Sequence, residues 1–158
     1  MKDFLIDYCT QITIIAFASF ASYVISISTK WWKVPSISQS DKMLNKPWKW
    51  LFEAVMYICG IAIFTNGLRL ENWMLEASGI MIFCVGIFTD HTSFMHIFCA
   101  SGGFLTGIIA FDWITAVVIG AAVFIAFRNS EDFDHQITTF NIEVVLAVLL
   151  FIRLSLTL

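Results

Sequence analysis

Apolar residues run in blocks along this chain, and brief polar breaks separate the blocks. A helix needs about 20 mainly apolar residues to cross a bilayer, with a range of roughly 17 to 25. On that criterion the pattern predicts six spans, at 9–28, 50–68, 73–89, 93–111, 113–127 and 140–158. The longest break, Lys30 to Lys49, holds five lysines and both prolines, Pro35 and Pro47. Arg69, Glu71 and Asn72 part the second span from the third, Asp90-His91-Thr92 the third from the fourth, and Asp112 the fourth from the fifth. Arg128 to His135 is a short acidic loop. Because the breaks at Asp90 and Asp112 are short, four or five helices with a re-entrant piece is the alternative division. The fold class that follows is all-α: a polytopic integral membrane helical bundle of about six transmembrane helices, with residues 1–158 as one domain.

Composition narrows the class further. Hydrophobic residues make up 59% of the 158 and charged residues 13%, where a soluble domain carries about 25% charge. So few charges exclude an ordinary cytosolic enzyme, a disordered chain and a nucleic-acid binder with a basic face. Sixteen Phe suit contact with lipid tails and six Trp suit the headgroup level. Four cysteines (Cys9, Cys59, Cys84, Cys99) show no C-x-x-C spacing and read as small packing residues. The amino-terminal stretch mixes Lys2 with Asp3 and Asp7 and is followed by no small-residue cleavage site, so the first span reads as a retained anchor.

Lys and Arg resist translocation. The lysine-rich Lys30–Lys49 loop is therefore expected on the cytoplasmic side, and alternation puts the Arg128 loop there too. The Asp90–His91 turn and His135 would fall on the same face, with His96 about one and a half turns inside the fourth span. All three histidines of the chain would then cluster near one membrane surface. A prokaryotic inner membrane suits the small size and compact loops.

The most informative stretch is Thr89-Asp90-His91-Thr92-Ser93-Phe94-Met95-His96. Ionisable groups at membrane depth are costly and mark function by default. Asp90 at a turn also serves as a helix cap. His96 opens a stripe with Ala100, Gly103 and Gly107, at steps of four, three and four, and so shares their helix face. Gly103 and Gly107 form a G-x-x-x-G, which admits a neighbouring helix backbone. Ala116 and Gly120 mark the fifth span as a packing partner. His91, His96 and His135, with Asp90, Asp132 and Asp134 nearby in sequence, are the metal-ligand candidates for zinc. His91 and His96 lie five apart, about 500° on a helix, and share a face only if the helix begins between them. Ser19, Ser22 and Ser26 form a polar row on the first span, suited equally to lining a pore and to helix packing. Asn66, Glu76 and His96 are the other polar-cavity candidates. Glu53, four residues after Lys49, reads as an interfacial pair, and Arg153 as a snorkelling side chain.

The pattern Gly86-Ile87-Phe88-Thr89-Asp90, followed by His96, Ala100 and Phe104, resembles a family. It is similar to six-helix prokaryotic membrane proteins of unknown function, grouped distantly with the CREST hydrolases (alkaline ceramidases and the progestin and adipoQ receptors). The likeness is confined to residues 86–104. It implies a zinc site near the cytoplasmic face, built from three histidines, an aspartate and a serine. His96 with Ser93 or Thr92 would stand for the early Ser/His element, and Asp90 for the acid. The sixth span holds no histidine where the family has its pair.

Three functions fit these features. The leading one is a channel or transporter-type subunit, oligomeric, moving a small solute or ion. It rests on polar residues inside the spans and on the near absence of extramembrane mass. The second is a membrane-embedded zinc hydrolase of lipid-like amides or esters, with Asp90 and Ser93 as its catalytic candidates. The third is an accessory subunit of a larger membrane complex. Lipid and a second copy or another membrane protein are the expected partners. No resident cofactor other than zinc is implied.

Overall fold

A computed structural model describes residues 2–30, 37, 40, 44, 49–90, 92–111 and 135–157. Every regular element among them is helical: α1 (Lys2–Asp7), α2 (Cys9–Lys30), α3 (Trp50–Leu70), α4 (Trp73–Ile87), α5 (Phe94–Ile109) and α6 (His135–Ser155). The link from α1 to α2 stays close to helical, since Tyr8 N–H donates to Phe4 O and Ile12 N–H to Tyr8 O.

Helix α2 buries Cys9, Thr13, Ala16, Phe20, Tyr23 and Ile27. Their alternating steps of four and three draw one seam down the helix. Its other side is just as apolar: Ile14, Ile15 and Ile25 are more than half exposed, at 61%, 56% and 61%. A helix that is hydrophobic all round belongs inside a large core or in a membrane. Here the chain itself leaves one side uncovered. By length and composition, α2 and α3 are able to cross a membrane.

Helices α3 and α4 form a tight hairpin. Glu71 takes the left-handed conformation (φ 51°, ψ 37°), and its N–H returns to Gly67 O. Asn72 N–H donates to the same carbonyl at 2.9 Å. Asn72 Oδ1 then accepts from the N–H groups of Met74 and Leu75, capping α4. Its Nδ2 donates to Ala110 O at 3.1 Å, at the far end of α5. Above the turn the two backbones touch. A Cβ placed on Gly60 would lie 2.6 Å from Phe83 N and 2.8 Å from Gly79 O. Only glycine fits such an approach.

Helix α5 returns antiparallel to α4, and Ser78 Oγ donates to Gly103 O at 2.6 Å. Helix α6 rests its Ala147, Leu150, Phe151 and Leu154 on the bundle. Phe151 packs obliquely on Phe17 and Phe20, with ring centroids 5.6 and 6.1 Å apart. One end of the bundle gathers Asn66, Arg69, Asn72 and Ala110, and there Arg69 Nη2 donates to Thr157 O at 2.5 Å. At the other end Tyr23 meets Phe52 and, through its hydroxyl, Ser40. Glu143, two turns into α6, accepts from Ile37 N–H at that same end.

Six full-length spans are not what the described helices provide. The expected spans 73–89 and 93–111 become helices of 15 and 16 residues, short of a crossing by length. The reason is local hydrogen bonding. Phe88 closes α4 by donating to Cys84 O, and Asp90 and Ser93 spend their side chains capping the turn. The expected span 113–127 lies outside the described residues, as do Ala116 and Gly120.

Two outcomes test this packing. Replacing Glu71 by Gly relieves a left-handed L-residue and should raise stability by about 1 kcal/mol, read from unfolding in detergent micelles; a lower value would contradict the turn. Gly79→Val should cost about 2 kcal/mol or more by overpacking, because a Cβ there meets Phe64 N and Gly60 O. Gly102→Ala is the contrast: its nearest neighbour is the mobile end of Met81. It should stay within about 0.5 kcal/mol of the unaltered protein.

Candidate functional site

The α4–α5 turn shapes the chemistry around His96. With α4 ended at Ile87, the Phe88 carbonyl has no helical donor ahead of it. Asp90 Oδ1 accepts from Thr92 N–H at 3.1 Å and from Thr92 Oγ1 at 2.7 Å, which tightens the turn. Ser93 Oγ accepts from His96 N–H and caps α5. His96 therefore enters one turn into the helix, beneath Phe88. Its Nδ1 hydrogen-bonds to Phe88 O. A carbonyl only accepts, so Nδ1 carries the proton and a neutral ring leaves Nε2 as a bare lone pair. The residue is 2% exposed, and Nε2 is buried without a hydrogen-bond partner among the described residues.

An imidazole fixed in this way by a backbone carbonyl is primed at its other nitrogen. It can accept a hydrogen bond, take up a proton or ligate a metal. The neighbouring candidates are otherwise engaged. Ser93 is committed as a cap and Asp90 is exposed in its turn. His91 lies outside the described residues, and so do Asp132, Asp134 and the side chain of His135, whose backbone opens α6. Among the described residues, no three His, Cys, Asp or Glu come together to hold a metal ion.

On the same face of α5, one and two turns beyond His96, Ala100 and Phe104 line a small cleft of about 30 Å³. Phe20, Phe52, Met56, Ile82 and Val85 make most of its remaining wall, and Glu143 is the charged residue on it. The cleft is thus apolar, with one carboxylate engaged by Ile37 N–H.

The other polar candidates separate into two groups. Asn66 is fully buried between α2 and α3, where Nδ2 donates to Thr13 Oγ1 and to Ala62 O, both at 2.8 Å. It staples two helices, and its Oδ1 has no partner among the described residues. Glu76 is half-buried, its backbone set against Gly67. Ser19 is half-buried, while Ser22 and Ser26 stand exposed on the outer side of α2. Gly103 and Gly107 are buried, Gly103 against Ile82 and Gly107 against Ser78 Oγ and Leu150.

One contact had escaped the sequence reading: Ser78 Oγ to Gly103 O. Residues equidistant from the turn near 91–92 face one another, as Phe88 and His96 do. That symmetry was available once the turn had been placed. Comparison with protein-family models, curated proteins and solved structures finds no match to this chain.

A double-mutant cycle checks the buried staple. Thr13→Val and Asn66→Leu should be coupled by about 0.6 kcal/mol and at most about 1.7, the range for side-chain hydrogen bonds between membrane helices. Additive losses would show that the two side chains act separately.

Proposed function

We propose that this chain is a small multi-spanning membrane protein that assembles with copies of itself as a transport-type subunit for a small solute or ion. The observation that carries the reading is the outer face of α2. Ala18, Ser22 and Ser26 are spaced by four and all exposed, on a helix that also turns Ile14, Ile15, Phe17 and Ile25 outward. Small and hydroxyl-bearing residues at that spacing allow close helix approach in lipid, and hydroxyls can face water in an axial path. The bundle interior favours this placement of a path between chains. Its buried polar groups (Thr13, Asn66, Ser78) are tied up in helix-to-helix hydrogen bonds. On this reading the membrane is a prokaryotic inner membrane, with the lysine-rich Lys30–Lys49 loop in the cytoplasm.

His96 favours a second reading, a zinc-dependent hydrolase of lipid-like amides or esters. Its bare Nε2, with Nδ1 held by a carbonyl, is the arrangement of a metal-ligating histidine.

The first test is cross-linking of a Ser22→Cys variant in membranes, with flux into proteoliposomes measured alongside. Cross-linked oligomers and a flux that Ser22→Leu abolishes are expected. A monomer silent across ions and small solutes would overturn the transport reading. Zinc content settles the second: a metal lost in His96→Ala would favour the hydrolase, and metal-free unaltered protein would remove it.

A further inference from the structure

Ile37 and Ser40 belong to the Lys30–Lys49 stretch, whose five lysines predict a wet loop. Both are nevertheless buried, at 5% and 0% exposure. Ile37 sits in the apolar core and lines the interior cleft. It meets there Phe20 of α2, Phe52 of α3, Ile82 of α4 and Phe104 of α5 as fellow wall residues, with Glu143 of α6. Polar side chains hold it in place. Glu143 accepts from Ile37 N–H. Ser40 donates both its N–H and its hydroxyl to Ile37 O. The hydroxyls of Tyr23 and Ser40 lie 2.6 Å apart. Since the one hydroxyl hydrogen of Ser40 is already spent, Tyr23 is the donor between them. The N–H of Ile37 is thus tied to α6, and its carbonyl, through Ser40, to α2.

We propose that Ile37 is a displaceable plug, latched by Tyr23, Ser40 and Glu143, whose seat in the interior cleft is an autoinhibitory contact. With Ile37 seated, the cleft measures about 30 Å³, which holds little more than water. The plug is a single apolar side chain, and its attachment is polar. Such hydrogen bonds replace bonds to water and add only modest net stability each. The helices around the cleft, in contrast, pack along their lengths through the core. Proteins open locally at weakly held units well before they unfold. Release of the latch therefore unseats Ile37 while α2 to α6 stay packed. The aromatic wall and the Glu143 carboxylate then face an open chamber. The inference is independent of the transport and hydrolase readings, since it uses neither the outer face of α2 nor His96.

The test is labelling of a detergent-purified Ile37→Cys variant with a water-soluble maleimide, the labelled positions being read by peptide mass spectrometry. Cys59, 3% exposed between α2 and α3, is the internal reference for unfolding. Position 37 should label slowly while the latch is intact. Adding Tyr23→Phe and Glu143→Ala should speed that labelling about tenfold or more and leave Cys59 unchanged. Glu143→Gln keeps an acceptor without the charge, so its effect should be smaller than that of Glu143→Ala. Fast labelling with the latch intact, no change on removing it, or a matching rise at Cys59 would each overturn the proposal. Hydrogen exchange of the unaltered protein needs no variant. The Ile37 amide should exchange more slowly than an exposed amide and faster than amides in the middle of α3; a rate equal to either would overturn the proposal as well.

Discussion

Where α3 crosses α4 there are no side chains between the two backbones, and the rest of the bundle is arranged around that contact. Gly60 and Gly79 leave room for the opposite helix's backbone, and Gly67 admits the Glu76 backbone near the turn. In lipid, where apolar side chains gain little by leaving their solvent, such van der Waals contact is what holds helices together. The hairpin then fixes everything downstream. Asn72 caps α4 and grips the last turn of α5 at once. Ser78 holds Gly103, and the far end of α4 offers Phe88 O to His96.

Polar groups inside this bundle are solved locally and in pairs. Thr13 and Thr106 return their hydroxyls to carbonyls four residues back. Asn66 reaches across to Thr13, and Ser78 across to α5. Against that background the buried Asn66 Oδ1 and His96 Nε2 have no partner among the described residues. Burial without a partner costs a polar atom about 1–3 kcal/mol. Such an atom is retained in structures where it meets water, a proton or a ligand.

Much of the architecture was legible in the sequence. The apolar blocks of α2 and α3 and the lysine-rich stretch between them locate two helices to within a few residues. The fourth and fifth blocks were read too long. Thr89, Asp90 and Ser93 look tolerable at a helix end, but their capping bonds remove residues from both helices. Contacts across the α4–α5 turn follow from its position, so the Phe88–His96 pair could be read by symmetry. The Asn66–Thr13 pair could not, because it depends on how α2 slides against α3. That register belongs to the whole seam from Cys9 to Ile27, of which Thr13 is one member. The outward direction of Ser22 and Ser26 was equally hidden. A row of hydroxyls on an apolar helix looks the same facing in or out.

The shortness of α4 and α5 has a consequence for the lipid around them. Fifteen residues of helix rise about 22 Å, against about 30 Å for an average hydrocarbon layer. The start of α4 carries an aromatic side chain fit for the headgroup level, Trp73 at 73% exposure. On the membrane reading proposed above, this flank would draw both leaflets inward, while α2, long enough to cross, would span the full depth. A protein with one thin and one thick side deforms its surroundings unevenly. Such a protein prefers thin membranes, or neighbours that meet it on its short side.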